Sequence, residues 1–184
     1  IVTKVQHFRV DNKDYIVFAD RYRLYILDRK GKERVKVGSV LDLKENTDLY
    51  LAGKGDKARL VFANATGGVH TVDFDGREKK LDCGKISAGY KMNVADLNGD
   101  GMEDIVFTDS DRLFVYDLSG KLLHDKHLDA HSLDYPYVYR FSAIDSRIGL
   151  IDREQSRMLL LSPDGMMSKG FPITGDSPFS IIFS

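Results

Sequence analysis

The stretch VADLNGDGMED, residues 94–104, sets oxygen-bearing side chains at regular intervals around two glycines. Ca²⁺ takes six to eight oxygen ligands at about 2.3–2.6 Å, and a tight loop can supply them when alternate residues point inward. The spacing therefore predicts a calcium loop. Its five ligands, at loop positions 1, 3, 5, 7 and 9, would be the side chains of Asp96, Asn98 and Asp100, the carbonyl oxygen of Met102 and the side chain of Asp104.

The glycine at loop position 6, Gly101, permits the sharp turn that an EF-hand loop also makes at that position. The EF-hand itself is excluded, because position 12 is Phe107 and the flanking segments have the pattern of strands. The alternative is a polar hairpin loop held by Asx-turns alone. A bound cation would have a structural role, since neither an open coordination position nor a general base for metal catalysis is evident.

The elements that must position this loop belong to an internal repeat. Each of four segments has an apolar run, a short polar turn, a second apolar run, and a polar residue three positions before a glycine. The intervals between successive glycines are 45, 44 and 45 residues. The four pairs are Asp28 with Gly31, Asp73 with Gly76, Asp117 with Gly120, and Ser162 with Gly165.

The apolar runs predict short strands rather than helices. Residues 15–18 and 24–27 are short, apolar and bounded by turn residues, and they lack a helical period. A more polar strand follows the glycine, as at residues 33–37, and another precedes the first run, as at residues 4–10. Four antiparallel strands in each repeat of about 45 residues are typical of a β-propeller blade. We therefore predict an all-β propeller fold with about four blades, at residues 4–45, 46–89, 90–134 and 135–170.

Two kinds of propeller repeat resemble these segments. FADRYRLYILDRKGK and FTDSDRLFVYDLSGK resemble the repeats of quinoprotein-like (PQQ-like) propellers, and VADLNGDGMEDIVF is similar to the FG-GAP or VCBS repeat of integrin-type propellers. Blades of the second kind open with an Asp-x-Asn-x-Asp-Gly-x-x-Asp loop, which only the third repeat carries in full. The corresponding stretches at residues 10–15 and 52–59 lack the ligands, so a blade does not need the metal to fold. The resemblance also implies an extracytoplasmic location, where Ca²⁺ is plentiful.

The final segment, residues 171–184, predicts the first strand of a further blade, or a strand that closes the ring. Four repeats would make a small ring. We expect the chain to be part of a larger propeller, within a single propeller region that covers residues 1–184.

Composition and charge exclude several classes of function. The chain has 27 Lys and Arg against 28 Asp and Glu, which gives a net charge of −1. It therefore lacks the excess of positive charge that is typical of nucleic-acid-binding proteins and of polybasic membrane anchors. No apolar run approaches the ~18 residues of a membrane-spanning helix. Cys83 is the only cysteine, so no internal disulfide can form.

Two further clusters have a functional and a structural interpretation. His124, His127 and His131 would converge on a metal only if they lay on a helix, and an edge strand at this place in the repeat separates them. The tyrosines at 135, 137 and 139 would share one strand face, as a binding surface or, in the simpler interpretation, as packing between blades.

The sequence favours a non-catalytic binding or scaffold module of a larger, exported protein, with a protein or glycan partner and one structural Ca²⁺. The first alternative is a segment of a quinoprotein-like enzyme, but such enzymes hold their quinone over a tryptophan, and this chain has no tryptophan. The second alternative is a structural spacer without a ligand. A fold alone does not decide among these functions.

Overall fold

A computed structural model describes residues 1–84, 86–178 and 180 of the chain. Among these residues the regular structure is almost entirely β, with a single three-residue 3₁₀ turn at Gly55–Lys57. The strands are β1 (Gln6–Val10), β2 (Lys13–Ala19), β3 (Leu24–Leu27), β4 (Glu33–Val35), β5 (Tyr50–Ala52), β6 (Arg59–Ala63), β7 (Val69–Asp73), β8 (Glu78–Leu81), β9 (Lys91–Ala95), β10 (Asp104–Asp109), β11 (Arg112–Asp117), β12 (Leu122–His127), β13 (Tyr137–Arg140), β14 (Ser146–Asp152), β15 (Arg157–Leu161) and β16 (Ile173–Thr174).

These strands form four antiparallel sheets of four strands each, and every strand pairs with its neighbour in sequence. The sheets are β1–β4, β5–β8, β9–β12 and β13–β16. The prediction of an all-β chain with four antiparallel strands in each of four repeats is confirmed. The fold is of the β-propeller type, with one sheet, or blade, for each repeat. That residues 1–184 form one propeller region stays a prediction.

The end of the fourth blade differs from the sequence prediction. Ile173 and Thr174 pair with Met158 and Arg157, so they are the fourth strand of the last sheet and not the first strand of a further blade. The predicted boundary at residue 170 therefore falls too early. Phe179 and residues 181–184 of the predicted further blade lie outside the described residues.

The polar residue before each repeat glycine shapes the turn between the third and fourth strands. In the first three blades its carboxylate accepts hydrogen bonds from backbone N–H groups two and four residues later, and the bond to the second residue is typical of Asp in turns. The donors are Lys30 and Lys32 to Asp28, Asp75 and Arg77 to Asp73, and Ser119 and Lys121 to Asp117. The four repeat glycines all have positive φ.

The chain comprises two compact units, and each contains two sheets and an apolar core. The first unit, Ile1–Ala88, packs Val17 and Ile26 of the first sheet with Leu60 and Phe62 of the second. The second unit begins at Gly89. Its core joins residues of the third and fourth sheets, among them Val106, Leu113, Val115, Ile148 and Leu150.

Candidate functional site

The candidate metal loop, residues 96–103, connects β9 to β10 in the third blade. Ala95 at the end of β9 pairs with Asp104 at the start of β10, so the sheet fixes both ends of the loop. The last predicted ligand is therefore held by a strand, while the others lie on the loop itself.

Asp96 is the centre of the loop's hydrogen-bond network. Its Oδ1 accepts the backbone N–H of Gly99 at 2.7 Å, and its Oδ2 accepts that of Gly101 at 3.1 Å. Both glycines have positive φ, +79° and +82°. The loop thus folds around the first predicted ligand because two glycines turn their N–H groups towards one carboxylate.

Asn98 and Asp100 make the Asx-turns that the alternative interpretation predicted. Asn98 Oδ1 accepts the N–H of Asp100 at 2.9 Å, and Asp100 Oδ1 accepts the N–H of Met102 at 2.8 Å. The Asn98 amide also donates to Asp100 Oδ2 at 3.0 Å. Both side chains belong to exposed residues, so they can change rotamer without disturbing the core.

Asp104 is the buried member of the set, with 6% of its surface exposed. Its Oδ2 accepts the backbone N–H of Leu97 at 3.3 Å. The pKa of Asp104 is raised to about 6, chiefly by burial and also by the negative charges of Asp100 and Asp96, while the hydrogen bond from Leu97 opposes the rise. The loop therefore concentrates negative charge beside a carboxyl group that water does not solvate well.

A second element, the β13–β14 hairpin of the fourth blade, closes over this loop. Arg140 donates to the carbonyl oxygen of Asp96 at 2.8 Å and lies 3.3 Å from Asp96 Oδ2. A Cβ on Gly99 would overlap the carbonyl oxygen of Ala143 and approach the Cα of Ile144 to 2.8 Å. The local sequence pattern does not reveal these partners, because they lie 44 or 45 residues away from the loop positions that they contact.

The chemistry of the predicted donors suits Ca²⁺, since all five are oxygens and three are carboxylates. Their arrangement is not that of a finished coordination shell. In the described part of the chain, no group of three or more His, Cys, Asp or Glu side chains is arranged to hold a metal ion. The structure brings Asp96, Asp100 and Asp104 close enough for their charges to interact, but the loop's own N–H groups occupy their oxygens.

The histidines of the third blade do not converge. His127 pairs with Asp111 at 2.7 Å, whereas His131 Nε2 lies 3.1 Å from Gln155 Nε2. His124 and His127 lie on β12, in agreement with the edge strand that the repeat predicted.

The tyrosines are divided between a strand and the segment before it. Tyr137 and Tyr139 lie on β13, whereas Tyr135 precedes that strand. The rings of Tyr135 and Tyr137 meet edge to face, with centroids 5.2 Å apart. All three are half-buried, and burial raises the pKa of Tyr139. These contacts favour the packing interpretation over an open aromatic surface.

No helix among residues 1–84, 86–178 and 180 has the length and apolar character needed to cross a membrane.

The sequence matches no protein-family model and no curated protein. The fold resembles that of several solved structures. The computationally designed Ika8 protein has a TM-score of 0.59 and 12% identity over 92% of this chain and 48% of its own. BBS1N, crystallised in complex with ARL6DN, has a TM-score of 0.64 and 13% identity over 94% of this chain and 56% of its own. This chain thus spans about half the length of each of these two structures.

Proposed function

We propose that this chain is a non-catalytic β-propeller module that binds a protein or glycan partner within a larger, exported protein. We further propose that residues 96–104 hold a structural Ca²⁺. The observation that carries the calcium proposal is the loop's construction, in which two backbone N–H groups fold the loop around Asp96 and the hairpin of a neighbouring blade closes over it. BBS1N, of similar fold, was crystallised with a protein partner, which supports a protein partner for this chain as well.

The residues that would hold the cation are Asp96, Asn98, Asp100, the carbonyl of Met102, and Asp104. Asp96 and Asp104 already lie at the two ends of the loop. Asn98 and Asp100 would exchange their Asx-turn hydrogen bonds for the cation, and both belong to exposed residues. Bound Ca²⁺ would neutralise the carboxylates, which carry more negative charge than the single nearby Arg140 balances.

The role of the site would be mechanical rather than chemical. The loop touches the β13–β14 hairpin through Arg140 and through the close approach of Gly99 to Ala143. Fixing the loop would therefore also fix the contact between the third and fourth blades. This role agrees with a module that presents a rigid surface to a partner, and extracellular calcium modules bind with modest affinity, at about 10⁻⁴–10⁻³ M.

Thermal unfolding with millimolar CaCl₂ or with EDTA tests the calcium proposal. A ligand present at 100 times its Kd adds about 2.7 kcal/mol to the free energy of unfolding, so we expect a clear rise in Tm. Asp100→Ala should abolish that rise. Asp56→Ala is the matched control, because Asp56 lies in the corresponding stretch of the second repeat, and this variant should keep the full response.

Two outcomes would contradict the proposal. An equal Tm in CaCl₂ and EDTA for the parent chain would leave the loop as a polar turn. An equal rise in the parent and in Asp100→Ala would show that calcium acts elsewhere on the chain. The β-propeller fold would stand in either case.

A further inference from the structure

A cleft lies at one end of the first sheet, between its two hairpin turns. The β1–β2 turn at Asp11 and Asn12 forms one wall, and the β3–β4 turn after Asp28 forms the other. The cleft has a volume of about 320 Å³. Its lining residues are Asn12, Lys13, Asp14, Asp28, Arg29, Lys30 and Arg34.

The two carboxylates of this cleft already have hydrogen-bond or ion-pair partners within the first blade. Asp14 is 2.9 Å from His7 Nε2 and 3.3 Å from Arg29 Nε, and the hydrogen bond from His7 is the largest of the effects that lower its pKa. Asp28 accepts the N–H groups of Lys30 and Lys32, at 2.8 and 3.0 Å, as part of its turn. Neither carboxylate makes an ion pair with the lysines of the cleft in the described structure.

The positively charged side chains of the cleft have fewer ion-pair partners than its carboxylates have. Within the described residues, the ammonium groups of Lys13 and Lys30 make no ion pair, and both residues are exposed. Arg34 donates to the backbone carbonyl of Asp14 at 3.3 Å, and its guanidinium lies 5.3 Å from the centroid of the Tyr15 ring. Neither of these contacts is with a carboxylate. The pKa of Asp28 is lowered mainly by the N–H groups of Lys32 and Lys30, and to a lesser extent by the nearby charges of Arg34 and Lys30.

The cleft lies in the most basic part of the chain. Residues 1–37 contain ten Lys and Arg against five Asp and Glu, a net charge of +5. Residues 38–184 contain the other 17 Lys and Arg against 23 Asp and Glu, a net charge of −6. The near-neutral total charge thus conceals a positive first blade, which would attract an anion to this end of the sheet.

We infer that this cleft binds a tetrahedral oxyanion, the phosphate or sulfate group of a partner. Guanidinium groups match the geometry of such oxygens with paired N–H donors, and ammonium groups supply strong point charges. Arg34 is preorganised by its contacts, Arg29 borders the cleft while paired with Asp14, and Lys13 and Lys30 are free to close on the ligand from the two turns. The inference deepens the proposed function, because it names the chemistry that this module would recognise, but it does not depend on the calcium loop.

A nuclear magnetic resonance titration in EDTA tests the inference directly. Inorganic phosphate and sulfate are added separately to the ¹⁵N-labelled chain at constant ionic strength, with chloride as the reference anion. We expect saturable shifts of the backbone amides of Lys13, Lys30 and Gly31. O-phosphoserine and a sugar sulfate, as ester probes, then show which of the two groups binds more tightly.

Two double variants with the same change in charge distinguish binding in the cleft from non-specific attraction of anions to a positively charged surface. Lys13→Gln with Lys30→Gln removes both lysines of the cleft, and the loss of each lysine should weaken phosphate binding by about fivefold. Lys32→Gln with Lys36→Gln removes two exposed lysines that do not line the cleft, and should change the affinity less than twofold. Thermal unfolding verifies that both variants are folded.

The inference is overturned if the shifts do not saturate, or if the two double variants weaken binding equally. Because EDTA is present throughout, the result is independent of the calcium proposal. A cleft that fails to bind anions would leave the response to calcium unchanged, and the reverse also holds.

Discussion

Arg140 on the first strand of the fourth blade binds Asp96 in the loop of the third blade through two contacts. Its Nη2 lies 2.8 Å from the main-chain oxygen of Asp96 and 3.3 Å from the side-chain Oδ2. Desolvation opposes the ionisation of Asp96, but the N–H groups of Gly99 and Gly101 and the charge of Arg140 together lower its pKa. The arginine therefore provides part of the positive charge that a bound cation would provide.

The first prediction concerns the positive charge that Arg140 places beside Asp96. Arg140→Gln should lower the free energy of unfolding in EDTA by about 1 kcal/mol, because a partly exposed ion pair and one hydrogen bond are lost. The same change should tighten calcium binding roughly fivefold, because it removes a positive charge beside the site. Urea unfolding and a calcium titration measure the two effects. Arg112→Gln, which breaks the ion pair with Asp125 on β12, should leave calcium affinity unchanged.

The second prediction compares the two glycines of the loop. Both have positive φ, so alanine at either position should cost about 1–2 kcal/mol. A Cβ on Gly101 meets no atom within 4 Å, whereas a Cβ on Gly99 would overlap the backbone at Ala143 and Ile144. Gly99→Ala should therefore destabilise the chain by about 1–3 kcal/mol more than Gly101→Ala, measured by urea unfolding. Equal losses would mean that the hairpin does not pack on the loop as described.

The third prediction concerns the pH dependence of stability without metal. The pKa of Asp104 is about 6 in the folded chain, against an ordinary value of 3.8 for this side chain. At pH values between these two pKa values, the folded state keeps a proton that the unfolded state has lost. The contribution of Asp104 to the free energy of unfolding therefore falls as pH rises from about 4 to 6. Asp104→Asn cannot ionise. In EDTA its stability relative to the parent should rise by up to about 3 kcal/mol between pH 4 and pH 7.

Urea unfolding of the parent and of Asp104→Asn at several pH values in this range checks that prediction. Asp56→Asn, at an exposed position, is the control and should follow the parent. A difference between Asp104→Asn and the parent that does not vary with pH would show that Asp104 ionises normally. Added Ca²⁺ should reverse the preference, because the cation stabilises the charged carboxylate that the variant lacks.

The fourth prediction tests the carboxylates of the repeat turns. Asp73 accepts the N–H groups of Asp75 and Arg77 at 3.0 and 2.9 Å, so Asp73→Ala should cost about 1–2 kcal/mol. Asp75→Ala removes a more exposed carboxylate of the same turn, whose contact is an ion pair with Arg77, and should cost less than about 0.5 kcal/mol. Denaturant midpoints with unchanged m-values are the measurement. Similar midpoints for both variants would contradict the role assigned to Asp73.

Sequence reasoning reached the features that depend on neighbouring residues. The strands and turns follow from short apolar runs and from Asp side chains that bond their own backbone, as Asp28 and Asp117 do. The five predicted ligands also lie within one short segment. Both interpretations of that segment could be stated from the sequence, because its Asx-turns and its ligand spacing use the same residues.

Features that depend on packing between repeats were not predictable in this way. Nothing in the local pattern links Arg140 to Asp96 or Gly99 to Ala143, because these contacts depend on how the third and fourth sheets pack. The last strand, β16, has two residues, too few to show an alternating pattern, and it was assigned to the wrong blade. The basic run at residues 29–36 is visible in the sequence, but only the structure shows which of its charges remain unpaired.

The pairing of each strand with its sequence neighbour has a consequence for how the chain acquires its fold. The hydrogen bonds of every sheet join residues close in sequence, so little loop-closure entropy is lost before each pairing forms. Chains with such local contacts fold faster than β-sandwiches, whose strands pair across long separations. A ribosome adds only about 5–20 residues each second, so the strands of one repeat can associate before the next repeat has been synthesised.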